Sequence, residues 1–332
     1  MGANLTFVRA IYAPRGAALY RTVLRAGLAA GALALAACGA EPDVSGSGGS
    51  APAATDPAPK PASGPDRALD TAQSAHSIAS NRDILANVLA DQRRDNDRKR
   101  DAYRHPAQTL DFFQVAADQS VIEYAPGTGW YTRILAPYLA RNGRYIAVSF
   151  APEPITSLNA DFQQRLREAG EEFSATHARK LELSPAKVPF YFTDAIPAEL
   201  DGTIDRVLIV RMLHNLVRWD IADSELAALR RTLKPGGMVG VVQHRAKPDA
   251  ADEFADGNAG YLRQADVVAL FERNGFELTG FSQVNANPAD TADHEAGVWT
   301  LPPTYALRGK DRERYAAIGE SDRMTLLFSK AE

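Results

Sequence analysis

Residues 121–132 read V-I-E-Y-A-P-G-T-G-W-Y-T, an apolar run interrupted by one acid, Glu123, and followed at once by a glycine-rich bend. The run has the length and composition of a buried strand, and Gly127 and Gly129 let the backbone turn tightly and approach a ligand. A helix opening after Gly129 presents free amides to that ligand, so strand, bend and helix together form a cradle. Outward from this point the chain keeps one rhythm: short apolar segments separated by amphipathic stretches of 10 to 15 residues. Further strands are predicted at Tyr145–Ser149, Pro189–Phe192, Arg206–Arg211, Met238–Gln243, Glu277–Asn285 and Met324–Phe328. Leu226, Leu229 and Leu233 share one helical face, as do Val267, Leu270 and Phe271. Such alternation predicts an α/β, doubly wound, mostly parallel sheet covered on both faces. Sheets of this kind bind ligands beyond the carboxyl ends of their strands, so chemistry is expected in the loops there.

Composition supports a folded chain. Of 332 residues 45% are hydrophobic and 23% charged, which excludes a wholly disordered or polytopic membrane protein. The net charge of -4 conceals an asymmetry. Residues 1–37 hold four arginines and no acid, leaving 33 basic against 41 acidic residues in the remainder. A body that acidic has no general attraction for phosphate backbones, so nucleic acid is not expected as a partner. The dinucleotide pattern is poorly matched, because Thr132 stands where a third glycine belongs and the second strand ends in Ser149-Phe150 without a ribose-binding acid.

Several segments together are more specific. E-Y-A-P-G-T-G (Glu123–Gly129) resembles the E/D-x-G-x-G-x-G motif of class I S-adenosylmethionine-dependent methyltransferases, with Ala125 in place of the first glycine. In order along the chain, Thr193-Asp194-Ala195 resembles the segment after the third strand. I-D-R-V-L-I-V-R-M-L-H-N-L resembles the fourth strand and its end, and L-K-P-G-G-M-V-G-V-V the fifth-strand signature. With W-Y-T-R-I-L-A-P-Y-L, Q-H-R-A, N-A-N-P-A-D-T-A-D-H-E-A-G-V-W-T-L-P-P and G-E-S-D-R-M-T-L, the chain is similar to a bacterial family of predicted, largely uncharacterised methyltransferases over roughly residues 78–330. The resemblance implies a seven-stranded Rossmann-like domain over 119–332 and S-adenosylmethionine as cofactor. It implies Glu123, Ala125, Gly127 and Gly129 against the methionine part and Asp194 near the adenine. Ser149 falls where the family's ribose acid stands, and one hydroxyl cannot accept two hydrogen bonds as a carboxylate does. Glu153 is a substitute from the following loop, or a surface residue. Trp130 and Tyr131 pack beside the cofactor or in the core.

His214 and His244 fall just beyond the fourth and fifth strands, which are neighbours in the resembling fold and about 4.8 Å apart. Three roles are open to them: general base, shared metal ligands, or hydrogen-bonded rim histidines. Asp293-His294 and Asp322-Arg323 are candidates to extend that rim. Residues 67–118 are expected to form a helical extension. Its charged run from Asn81 to Arg104 ends before Pro106, where a helix should stop, and T-L-D-F-F-Q-V packs Leu110, Phe112 and Phe113 inward. Arg100, Asp101, Arg104 and His105 form either a solvated face or a lid over a pocket.

The N-terminus has its own reading. Arg21 and Arg25 precede the uncharged run Ala26–Ala37, too short to span a bilayer and built like a signal-peptide apolar region. Leu35-Ala36-Ala37-Cys38 closes it and resembles a bacterial lipobox, with the chain's single cysteine as lipidation site. This predicts a signal peptide over 1–37 and a periplasm-facing lipoprotein of the cell envelope, held at the membrane by its acyl chains. In residues 39–66, 21 of 28 positions are Pro, Gly, Ser or Ala, so 38–66 is expected to be a disordered tether. Two functions follow: methyl transfer to a small or envelope molecule, or a non-catalytic lipoprotein that uses the same fold to bind another ligand.

Overall fold

The computed structural model describes residues 80–332. Cys38, the signal segment 1–37 and the tether 38–66 lie outside the described residues. A helix over 80–90 (α1) opens the described chain, followed by the short helices Asp95–Arg98 (α2), Asp101–Arg104 (α3) and Pro106–Phe112 (α4). The continuous helix expected from Asn81 to Arg104 is therefore broken. Asp91 caps a new turn by accepting from the Arg93 amide, and His105 turns left-handed at φ 41°, which ends α3 and starts α4 at Pro106. Proline suits that first position because its missing N–H has no intrahelical partner there.

The sheet comprises β1 (Ser120–Tyr124), β2 (Arg144–Ser149), β3 (Phe190–Phe192), β4 (Ile204–Val210), β5 (Leu233–His244), β6 (Phe276–Ser282) and β7 (Arg323–Lys330). All seven predicted strands are present. Their spatial order is β3-β2-β1-β4-β5-β7-β6. Pairs among β1 to β5 are parallel, and β7 is antiparallel to both β5 and β6. Leu233 is buried as expected, but it begins β5 rather than ending a helix, and the register shifts between Ile204 and Arg206 to absorb the K-P-G-G bend.

Alternation along the strands assigns two faces. Ile122, Tyr124, Ile146, Val148, Val207, Ile209, Val239 and Val241 belong to one apolar cluster, and Val121, Tyr145, Ala147, Leu208 and Val242 to another. On the first face lie Ala160–Glu171 (α6), Leu213–Arg218 (α8), Ala222–Thr232 (α9) and Gln264–Arg273 (α11); on the second lie Thr132–Leu139 (α5) and Phe173–Leu181 (α7). Asp252–Ala255 (α10) and Arg312–Ile318 (α12) complete the helices. The N-terminal helices join the second face through Leu85, Leu110 and Phe113. Phe113 lies where a side chain on Gly240 would be, since a Cβ there would come within 2.6 Å of its ring. Chain order runs β1, β2, β3 outward and then returns to β4 beside β1, which leaves a crevice at the carboxyl end of the β1/β4 pair. Among the described residues no helix is long and apolar enough to cross a membrane.

Candidate active site

Glu123 stands on β1 beside Ala147 of β2 and Leu208 of β4. Its Oε2 accepts hydrogen bonds from Thr132 Oγ1 and Tyr145 OH, each at 2.7 Å. Burial pushes its carboxyl up to about 7, against the pull of those two donors. Its neighbour Tyr124 faces the opposite side and donates to Glu225 Oε2 at 2.6 Å. Beyond them the backbone bends through three left-handed residues: Ala125 at φ 49°, Gly127 at 58° and Gly129 at 76°. Ala125 thus holds the conformation a glycine takes at no cost, strained by roughly 1 to 2 kcal/mol, with its amide donating to Val148 O at 2.7 Å.

This bend lines a cavity of about 320 Å³ at the carboxyl edge of the sheet, at the lower end of the range for small-ligand sites. Nine residues singled out in the sequence line it: Arg100, Arg104, Glu123, Ala125, Gly127, Trp130, Tyr131, His214 and His244. Trp130 and Tyr131 meet edge to face, with ring centroids 4.7 Å apart. Gly129, Ser149 and Asp194 do not line it. Gly129 serves packing instead, because a Cβ there would sit 2.2 Å from the His177 imidazole. Ser149 ends β2 opposite Phe192. The Asp194 carboxylate accepts from Arg167 Nη2 at 2.7 Å, and Arg167 also pairs with Glu153 and lies over the Phe192 ring. Glu153 is therefore already engaged. Nearby, Phe150 packs against Trp219 at 5.1 Å, within the apolar cluster that also holds Ile155 and Ile196.

The two histidine rings lie 5.6 Å apart, centroid to centroid. Gln243 fixes the state of one. Its amide nitrogen donates to Gly260 O at 2.9 Å and His244 O at 3.2 Å, so its oxygen is the acceptor facing His214 Nδ1 at 3.3 Å. Nδ1 carries the proton, and Nε2 is left with a bare lone pair, buried and without a partner. Burial, with Arg218 beside it, pushes the His214 imidazole down to about 3, and burial with His214 nearby depresses His244. His244 Nδ1 lies 2.5 Å from Ser321 Oγ. Among the described residues no group of three or more His, Cys, Asp or Glu is arranged to hold a metal ion.

Reasoning from sequence found only part of the cavity's cationic wall, Arg100 and Arg104, and missed Arg211. Arg100, Arg104 and Arg211 line it together with Glu320 and Ser321. Arg100 and Arg104 were singled out only as a face or a lid, and Glu320-Ser321 only as part of the quoted G-E-S-D-R segment. Asp101 pairs instead with Arg94 at 2.8 Å. Of the proposed rim extensions, His294 binds Asp290 at 2.8 Å and Asp322 binds Arg245 at 2.8 Å, whereas Arg323 binds Glu320 of the cavity wall at 3.2 Å.

The strand order with its antiparallel seventh strand agrees with the seven-stranded Rossmann-like domain that the sequence resemblance implies. Solved structures with a similar fold include an S-adenosylmethionine-dependent methyltransferase from Aquifex aeolicus, 15% identical, covering 74% of this chain and 98% of its own, with a TM-score of 0.44. The cyclase SpnF is 16% identical over 69% of this chain and 81% of its own, at 0.43. The MccD protein is 14% identical over 67% and 95%, at 0.43. No family model matches the sequence. No curated protein matches it either.

The residues present can be tested against S-adenosylmethionine half by half. The left-handed bend at Ala125 and Gly127, with Glu123 beneath it, opens on the cavity as an amino-acid end requires. At the adenosine half Ser149 offers a hydroxyl, while Asp194 and Glu153 share Arg167. The fit is to the amino-acid end.

Proposed function

We propose that this chain is an S-adenosylmethionine-dependent methyltransferase acting on a small molecule bound in the cavity, from a domain anchored to the cell envelope by lipid on Cys38 and facing the periplasm. The observation that carries the catalytic part is one juxtaposition: the left-handed bend after β1 lines the same cavity as His214 after β4, whose Nε2 is buried without a partner. The anchoring rests on the L-A-A-C segment and its flanking arginines.

S-adenosylmethionine supplies an electrophilic methyl group on a sulfonium sulfur. The chain's own residues do the rest. Backbone at 125–128 holds the amino-acid end. Trp130, Tyr131 and Trp299 wall the cavity and limit water. His214, neutral at pH 7, accepts the proton that an acceptor hydroxyl or amine gives up, while Gln243 keeps its Nδ1 protonated. The second reading, a non-catalytic lipoprotein binding another ligand, draws on the absent ribose acid at Ser149 and the engagement of Asp194.

Titration calorimetry of the full chain with S-adenosylmethionine tests the reading. Saturable heat is expected, weakened about tenfold or more by Gly127→Ala, which strains a left-handed position of the cavity lining. No heat at millimolar concentration removes the methyltransferase reading. Binding without any methylated product in cell-envelope extracts, followed by mass spectrometry, favours the second.

A further inference from the structure

Four guanidiniums gather about one carboxylate at the cavity. Glu320 accepts from Arg100 Nε at 2.6 Å, Arg104 Nε at 3.1 Å and Arg323 Nη1 at 3.2 Å. Arg211, the fourth, has a buried Nε without a hydrogen-bond partner among the described residues. Arg323 is fully used, since its remaining nitrogens donate to Ser321 O and Tyr103 O. The other three are not. Arg100 Nη2, Arg104 Nη2 and Arg211 Nε are buried donors with no hydrogen-bond partner, and all three residues line the cavity. Arg211 is held there at a cost: it directly follows β4 in the left-handed region at φ 54°, its amide tied to Val242 O at 2.6 Å. A side chain other than glycine persists in such strain only where its surroundings impose it, and such sites cluster where ligands bind.

We propose that Arg100, Arg104 and Arg211 bind the acid group, a carboxylate or phosphate, of the methyl acceptor, whose body lies against Val298, Trp299, Pro302 and Pro303. Buried unpaired charge is costly and unused guanidinium donors more so, whereas an acid receives them as charge-assisted, often bidentate bonds. The cofactor does not meet this need. S-adenosylmethionine carries one carboxylate against an ammonium and a sulfonium, so its arrival adds positive charge to a wall that already exceeds its one counter-charge by three. The anion comes with the second substrate. Burial and the neighbouring Arg104 already push Arg100 down to about 10, in keeping with a cluster short of negative charge. With His214 Nε2 seeking a donor in the same cavity, the substrate class is a small acid with an apolar body and a hydroxyl or amine. Assigning the acid to the acceptor rests on the methyl-transfer reading; the demand for an acid does not.

The test is calorimetric titration of the full chain with benzoate, its neutral analogue benzamide and inorganic phosphate, with and without saturating S-adenosylmethionine. Benzoate or phosphate is expected to bind at least tenfold more tightly than benzamide, and Arg211→Met to weaken that binding tenfold or more. Arg100→Met, at a partly exposed position, gives the same readout should the first variant not fold. Equal binding of benzoate and benzamide with no phosphate heat, or unchanged affinity in the variants, overturns the inference. Loss of anion binding once S-adenosylmethionine is bound assigns the wall to the cofactor's carboxylate and overturns it too. Anion binding in a chain that gives no heat with S-adenosylmethionine leaves the acid site standing and removes the methyl-transfer reading.

Discussion

The carboxyl edge of the sheet has two halves that solve the same electrostatic problem differently. Over β2 and β3, Arg167 is matched by two acids, Glu153 and Asp194, and the space beneath is filled by Phe150, Trp219 and Ile155. Over β1, β4 and β5, three guanidiniums share Glu320 while a fourth, Arg211, keeps an unpartnered Nε, a histidine keeps a bare lone pair, and the space stays open. One half is closed and balanced. The other is open and short of negative charge, and that imbalance is what marks it as the ligand's half.

The sharpest way to break this contrast is to remove Glu320, the acid about which the guanidiniums gather. Glu320 is 5% exposed, and although burial works against ionisation, Arg104, Arg323 and Arg100 hold its carboxyl well below the usual carboxylate range. Glu320→Gln leaves these guanidiniums without any counter-charge. Breaking a buried pair from one side costs about 3 to 5 kcal/mol, so urea unfolding is expected to show a loss of that order. Inorganic phosphate should stabilise the variant more than the parent. A loss under about 1 kcal/mol shows that the cluster is solvated and the imbalance is not real.

Acid gives a second measure. His214 folds with its imidazole at about 3, against an ordinary value near 6.5, and burial lowers His177 to about 4. The unfolded chain takes up these protons as pH falls through 6.5 while the folded chain does not. Their contribution is complete above about 6.5 and is lost as pH falls toward 3. Glu123 acts the other way: raised to about 7, it keeps its proton in the folded state where the unfolded carboxyl has lost it, which favours folding on acidification from 7 toward 4.5. Burial depresses His244 as well and raises the Glu225 carboxyl, so three histidines stand against two carboxyls and stability is expected to fall between pH 6.5 and 4. His214→Gln removes a part of that fall on the order of 3 kcal/mol. A variant whose urea midpoint follows the parent at both pH values shows that His214 titrates normally.

How much of this was legible in the sequence follows from the range of the interactions. Strand periodicity and the glycine bend are local, so seven strands and the cradle could be read directly, as could the missing acid at Ser149. Gly129 was read as part of the cradle because a glycine does not say which side it clears; here the clearance is for His177. Arg211 gave no sign of its left-handed turn, since only glycine advertises that conformation. The wall itself joins Arg100 to Glu320, 220 residues apart, and no spacing rule connects them. Both segments were visible as charged motifs, but only the fold brings them to one cavity.

The smallest expected effect lies in the closed half, and its smallness is the point. Asp194 is about half exposed and its partner Arg167 retains Glu153. Exposed ion pairs contribute about 0 to 1 kcal/mol, because water screens them and two long side chains must be ordered to form them. Asp194→Asn is therefore expected to change the urea midpoint by no more than that. Its second readout is the affinity for S-adenosylmethionine. With Arg167 still held by Glu153, the Asp194 carboxylate is the group of this half that could be turned toward an adenosine. If Asp194→Asn leaves the affinity unchanged, the cofactor is gripped by the open half alone. A tenfold loss instead means that Arg167 gives way when the cofactor binds, and the two halves are then one site in two states of charge balance.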